Sequence, residues 1–256
     1  MRKIKILGLE IDNFSQTEFL QEFKSGVLFT PNVDHLMKLQ KDLEFQRAYD
    51  MSDYKICDSQ IIVYASKFLG TPLEERISGA DFFPAFYNYH RNNQDIKIFL
   101  LGAGKGVASQ AQKNINQKIG RNIIVGSYSP PFGFEKNRAE CEHIVNIIKN
   151  SDATVLAVGL GSPKQEKWIL NYKESLSNVK IFMGLGATID FEAGKIKRCP
   201  KWMGQVGLEW LFRLSREPQR LWKRYILDDI PFFLLVLKQK LNLYRKDDKT
   251  TMILGK

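Results

Sequence analysis

The chain of 256 residues lacks the motifs that announce several common chemistries. There is no G-x-x-x-x-G-K-[ST] phosphate loop, no H-E-x-x-H, no G-x-S-x-G nucleophile elbow, and no D-x-D pair to hold a metal against a nucleotide-sugar diphosphate. What remains is metal-free chemistry by carboxylates, with cations or helix N-termini to stabilise a leaving phosphate. Cysteine is scarce. Cys57, Cys141 and Cys199 are odd in number, far apart and without C-x-x-C spacing, which predicts reduced cytosolic thiols rather than disulfides or a zinc site. Long hydrophobic runs are missing as well: the longest, IPFFLLVL at 230–237, compares with ~20 residues for a bilayer span. The apolar part of the N-terminal MRKIKILGLEID is too short for a signal-peptide core. With no repeats or low-complexity tracts and an ordinary apolar fraction of 44%, the chain reads as one large domain, or one with an appendage.

Positive charge is present in excess, and it is concentrated. Between Lys195 and Lys246 lie thirteen Lys or Arg residues against Glu209, Glu217, Asp228 and Asp229, which leaves nine of the formal +10 in that stretch. Trp202, Trp210, Phe212, Trp222 and Tyr225 are interleaved with them. Basic residues mixed with aromatics suit a phosphate-rich, partly apolar partner such as an anionic membrane surface. The plainer reading is a solvated helical face. A third is a nucleic-acid-binding tail tracking a phosphate backbone.

Upstream, short apolar runs alternate with helical patterns, the mark of an α/β fold with a largely parallel sheet. Strands are predicted at 3–7, 26–30, 54–57, 97–101, 122–127, 154–158 and 180–183, and helices at 33–49, 59–68, 81–92, 107–118, 136–149 and 163–172. The recurrence predicts a Rossmann-like, doubly wound, mostly parallel sheet over 1–196, followed by a basic helical C-terminal appendage over 197–256. Because the strand pattern ends before Pro200, a body truncated there is expected to fold. Ligands of such sheets sit at the carboxyl ends of the strands, so the turns are where chemistry is sought.

Four turns stand out. The first, Thr30-Pro31-Asn32-Val33-Asp34-His35, presents short polar groups at a strand end, with Asn32 placed to cap the following helix. In the second, Asp58 follows a strand and is placed either as a general base or as a helix cap. Downstream of it, Arg76 has no evident structural role and suits a phosphate or a site carboxylate, whereas Asp81 is placed to cap a helix. The third turn carries Gly102, Gly104 and Gly106 without G-x-G-x-x-G spacing and without an acid after the next strand, which weakens a dinucleotide oxidoreductase and leaves nucleotide binding or a tight turn. The fourth, VGLGSPKQEKWI, joins Gly159 and Gly161 to Ser162, Pro163 and Gln165, a capping box by spacing. A parallel GLGATID with Gly184, Gly186 and Asp190 follows the next strand, and the two G-L-G turns suggest a lined cleft.

Taken in order, TPNVDHL at 30–36, CDSQIIVYASKFLGTPLEERISGADFF at 57–83, LLGAGKGVA at 100–108, VGLGSPKQEKWI at 158–169, GLGATIDFEAGKIKRCPKWM at 184–203 and GLEWLFRLSREPQRLWKRY at 207–225 resemble the WecG/TagA/CpsF family of bacterial glycosyltransferases. The resemblance implies inverting, metal-independent transfer of N-acetylmannosamine, or its uronic acid, from UDP to undecaprenyl-diphosphate-linked N-acetylglucosamine in cell-surface polysaccharide or teichoic acid synthesis. It implies Asp58 as general base, with Thr30 and Asn32 as polar residues of the catalytic pocket. Arg76, Gln165 and Asp190 align with sugar-nucleotide positions, beside the glycine turns at Gly102, Gly104, Gly159, Gly161 and Gly186. Arg213, Arg220 and Arg224 align with appendage arginines that meet the lipid diphosphate. The implied partners are a UDP-sugar, a polyprenyl-diphosphate-linked acceptor and an anionic membrane surface on its cytoplasmic face, with no nucleic acid, no cofactor and no metal; assembly into a homo-oligomer stays open.

Overall fold

Two sheets of different kinds organise the chain, seen in a computed structural model that describes residues 3–245. Lys246 and the end of the expected appendage lie outside the described residues. Strands β1 (Lys3–Ile6) and β2 (Leu9–Asp12) form an antiparallel hairpin apart from the main sheet, turning at Leu7 and Gly8, both with φ above zero. The expected strand at 3–7 is therefore real but lies outside the Rossmann-like sheet; the four residues of β2 are too few to show an alternation. The main sheet has β3 (Gly26–Phe29), β4 (Tyr54–Lys55), β5 (Ile98–Gly102), β6 (Ile124–Tyr128), β7 (Val155–Gly159) and β8 (Ile181–Gly184). Their spatial order is β4-β3-β8-β7-β5-β6, and every neighbouring pair is parallel.

Alternation along the strands divides the core in two. Phe99, Leu101, Leu156, Val158 and Phe182 point to one face, and Ile98, Leu100, Val155, Ala157 and Met183 to the other. That is the period of two that a pleated strand imposes, and with both faces covered the strands read as unbroken apolar runs. On the second face lie α1 (Gln16–Glu22), α5 (Gly79–Tyr89), α6 (Val107–Ile119) and α9 (Thr188–Glu192). The first face is covered by α2 (Val33–Lys38), α3 (Leu43–Asp50), α4 (Gln60–Leu69), α7 (Arg138–Lys149) and α8 (Lys164–Tyr172). The single helix expected at 33–49 is thus two, because Asp42 accepts from the Phe45 N–H and caps a fresh start.

The basic tail is helical, as expected, with α10 (Lys201–Gln205), α11 (Glu209–Arg216), α12 (Pro218–Trp222), a π-helical turn over Lys223–Asp228 and α13 (Pro231–Lys240). Pro218 divides α11 from α12, since proline cannot donate the hydrogen bond a continuous helix needs. This tail does not merely lie on the body. Phe232 and Val236 of α13 are buried in the first-face core. The Gln239 side chain accepts from the Leu7 N–H at 2.8 Å and donates to the Lys5 carbonyl at 3.0 Å. A body ending near Pro200 would open that core, so the packing argues against the expectation that it folds alone.

Candidate active site

The carboxyl ends of β3, β4, β7 and β8 open into two cavities roofed by the basic tail. The larger, about 430 Å³, is polar and runs from Thr30 and the two G-L-G turns to Arg213, Arg216, Arg220 and Arg224. The smaller, about 300 Å³, is walled by Trp210, Tyr225, Ile226, Ile230 and Phe233 of the tail and by Ile61 of α4. Asn32, Asp58, Glu209, Arg213 and Arg224 line both. Asp58 therefore stands where a polar, arginine-lined space meets an apolar one.

Asp58 does not cap a helix. α4 starts at Gln60 with Ser59 as its cap, and the Asp58 N–H donates to the Pro31 carbonyl at 3.0 Å, leaving the side chain to the cavities. Loss of hydration pushes its carboxyl up to about 7; Glu209 adds to the rise, while Arg76 and Arg213 oppose it. A carboxyl poised near neutrality suits proton transfer better than an ordinary aspartate. Arg76 has the structural role that the sequence did not show: it bridges Asp81 at 3.3 Å and Glu209 at 3.2 Å, joining the α5 start to α11. The cap of α5 is Ser78 rather than Asp81, whose carboxylate instead accepts from the Ser78 hydroxyl and from Arg198.

Asn32 caps α2, accepting from the His35 N–H at 3.1 Å, and its carbonyl also faces Arg224 at 3.5 Å. Thr30 is buried and its hydroxyl donates to the Gly184 carbonyl at 3.4 Å, which ties the end of β3 to that of β8. Gln165 does not complete a capping box. Its carbonyl accepts from the Gly186 N–H at 3.0 Å and its amide donates to Glu166 at 2.9 Å, so it clamps the second G-L-G turn to the first. Pro163 is the cap position of α8, and no side chain caps that helix. Behind Gln165, Glu166 is fully buried and burial pushes its carboxyl up to about 7, while burial lowers the neighbouring His35 to about 3, so the imidazole is neutral.

Gly159, Gly161, Gly186 and Asp190 line the polar cavity. A side chain at Gly159 would come within 2.7 Å of the Gly186 carbonyl, so the two turns can be adjacent only because this position is bare. Gly102 and Gly104 line neither cavity. Gly102, at φ +126°, is explained by packing: a Cβ there would collide with the Gly159 carbonyl, which accepts from the Ala103 N–H at 3.0 Å. The sequence reading missed Glu209, Lys38 and the apolar lining. Acids and lysines inside helices carry no local sign that a distant segment folds over them. Among the described residues no three His, Cys, Asp or Glu side chains converge as metal ligands would, and no helix is long and apolar enough to cross a membrane.

Arg213, Arg216, Arg220 and Arg224 all line the polar cavity, Arg213 and Arg224 half-buried and Arg216 and Arg220 exposed at its rim. Over 241 residues, 93% of this chain and 90% of the relative, the sequence is 30% identical to the N-acetylglucosaminyldiphosphoundecaprenol N-acetyl-beta-D-mannosaminyltransferase of Bacillus subtilis (strain 168). A protein of the same name from Staphylococcus aureus (strain MW2) is 28% identical over 242 residues, 91% of each chain. Another, from Bacillus spizizenii, is 26% identical over 211 residues, 82% of this chain and 79% of the relative. The family model described as Glycosyl transferase WecG/TagA/CpsF matches residues 4–246, from the first hairpin through the arginine-bearing tail. Sheet, turns and roof are thus all within the match, and the chain belongs to the WecG/TagA/CpsF family of glycosyl transferases.

Proposed function

We propose that this protein is an inverting hexosyltransferase that moves N-acetylmannosamine, or its uronic acid, from UDP to the N-acetylglucosamine of an undecaprenyl-diphosphate-linked acceptor, in the assembly of a cell-wall polymer such as teichoic acid. The observation that carries this reading is Asp58 on the wall shared by an arginine-lined polar cavity and an apolar one. The UDP-sugar occupies the polar side, its diphosphate toward Arg213, Arg216 and Arg220. The acceptor sugar reaches Asp58 from the apolar side, which suits the start of a prenyl chain. Asp58 takes the proton of the acceptor hydroxyl as its oxygen attacks the anomeric carbon, and the bond to the UDP oxygen breaks on the opposite face. Attack and departure on opposite faces invert the centre to β. The guanidinium groups take up the charge developing on the leaving phosphate, a role that preorganised cations fill well in a site shielded from water. With that charge met by arginines, the reaction needs no metal.

The acceptor is bound in a membrane, and the tail carries exposed apolar side chains suited to one. Leu227, Phe233, Leu234, Leu237 and Leu241 are all exposed, with Lys238 and Lys240 among them. We place the enzyme peripherally on the cytoplasmic face, where UDP-sugars and anionic lipid meet. The test is UDP release from UDP-N-acetylmannosamine with a short-chain prenyl-diphosphate-linked N-acetylglucosamine in detergent, with and without EDTA. Release that needs both substrates, a β-linked product by NMR and indifference to EDTA support the reading. Release without acceptor, an α-linked product or loss of rate in EDTA would each refute part of it.

A further inference from the structure

Asp34 is a buried acid, 5% exposed, that the reaction as described does not use. As an acid in the first turn of α2 it favours the helix dipole, but a solvated aspartate would do that equally well. Its Oδ2 instead meets two cations from different parts of the fold: the Lys38 Nζ at 2.6 Å and the Arg224 Nη2 at 3.4 Å. Lys38 also donates to the Ser162 carbonyl at 3.3 Å, in the turn whose Gly159 and Gly161 line the polar cavity. One carboxylate thereby links α2, the first G-L-G turn and the tail. Burying ion pairs is a poor way to gain stability, because lost hydration offsets the attraction, so their placement points to geometry rather than to strength.

The geometry matters at Arg224. This residue lines both cavities, and among the described residues its Nη2 meets Asp34 and the Asn32 side-chain Oδ1, with no partner for its other guanidinium nitrogens. The Nε is buried without a partner. Asp229 faces the same guanidinium, but burial pushes its carboxyl up to about 7, so near neutrality it is a weaker anchor than Asp34. We propose that Asp34 is a positioning residue for sugar transfer: it holds Arg224 by Nη2 at the wall between the cavities, with Nη1 left for a diphosphate oxygen, and through Lys38 it ties that arginine to the donor-side turn. The inference rests on the reading of the cavities as donor and acceptor sites.

A double-mutant cycle tests it. Asp34→Asn, Arg224→Ala and the double variant are compared for kcat/KM with UDP-N-acetylmannosamine and the short-chain acceptor in detergent, and for melting temperature. Arg224→Ala is expected to lower kcat/KM by a hundredfold or so, and Asp34→Asn by about tenfold, in the range for losing charge-assisted contacts. The double variant should match Arg224→Ala in kcat/KM within about twofold, because Asp34 then has nothing to position. If the two losses of kcat/KM multiply, or Asp34→Asn transfers normally, Asp34 is structural only and the proposal is overturned. If Arg224→Ala itself transfers normally, the assignment of the cavities fails first. Should Asp34→Asn not fold, the same cycle with Asp34→Glu keeps the charge and displaces it by one methylene; multiplying losses there overturn the proposal in the same way.

Discussion

Replacing Asp58 by asparagine separates catalysis from stability, because the same burial acts on both. In the folded protein the carboxyl rises from its ordinary 3.8 to about 7. The folded state then holds a proton, between those two values, that the unfolded state has released. Stability from this group is full below pH 4 and is lost as pH rises through 7. A rise of this size is on the order of 4 kcal/mol if fully realised, and the opening of the site to two cavities reduces it to ~1–2 kcal/mol. Asparagine does not titrate, so above pH 7 the variant escapes that loss. Its melting temperature at pH 8 should exceed the wild type by roughly 2–8 °C, with the gain shrinking toward pH 5. Meanwhile kcat/KM should fall by ~10²–10⁴, and the wild-type profile should rise tenfold per pH unit below about 7 and then level, as for a base that must be ionised in the free enzyme. UDP release and scanning calorimetry over pH 5–8 measure both. A variant that keeps more than about a tenth of the rate refutes Asp58 as base. One that is inactive yet no more stable at pH 8 refutes the burial argument.

Three further perturbations follow from the packing of the site. Gln165→Ala leaves the Gly186 N–H without its acceptor; we expect a several-fold higher KM for donor and a stability loss of ~1–3 kcal/mol, and a normal KM with only the stability loss would make Gln165 purely structural. Phe232→Ala removes a fully buried ring that joins the tail to the core; chemical denaturation should show a loss of ~3–5 kcal/mol, and a chain ending before Lys201 should be insoluble, whereas a soluble, cooperatively melting truncation would show the tail to be dispensable. Leu234→Asp with Leu237→Asp alters exposed positions that line neither cavity; sedimentation with anionic vesicles should weaken by roughly tenfold or more while transfer to the detergent-solubilised acceptor is unchanged, and unaltered vesicle binding would remove this face from the membrane.

All of the predicted strands occur, within a few residues: the central ones are buried on both faces and so are apolar throughout, and the turns between are marked by glycine, proline and capping residues. The strand ends bearing Thr30, Asn32, Asp58, Gly159 and Gly186 were legible for the same reason, since strand–turn–helix punctuation is local. So was the break at Pro218, which follows from a missing N–H. Other features depended on groups far apart in the chain. Gln165 reads as half of a capping box by spacing, yet its amide meets Gly186, twenty-one residues on. Gly102 reads as part of a nucleotide-binding or a tight turn, yet it is bare so that β5 can lie against β7. The sequence by itself determined the sheet, its turns and the charge of the tail. Only the tertiary structure decided that the tail folds back with Phe232 in the core, lines the polar cavity with its arginines and sets Arg224 against Asp34. Hydrophobic periodicity records that a residue is buried, but ion pairs and cavity walls arise from where two elements cross, and no local pattern encodes that crossing.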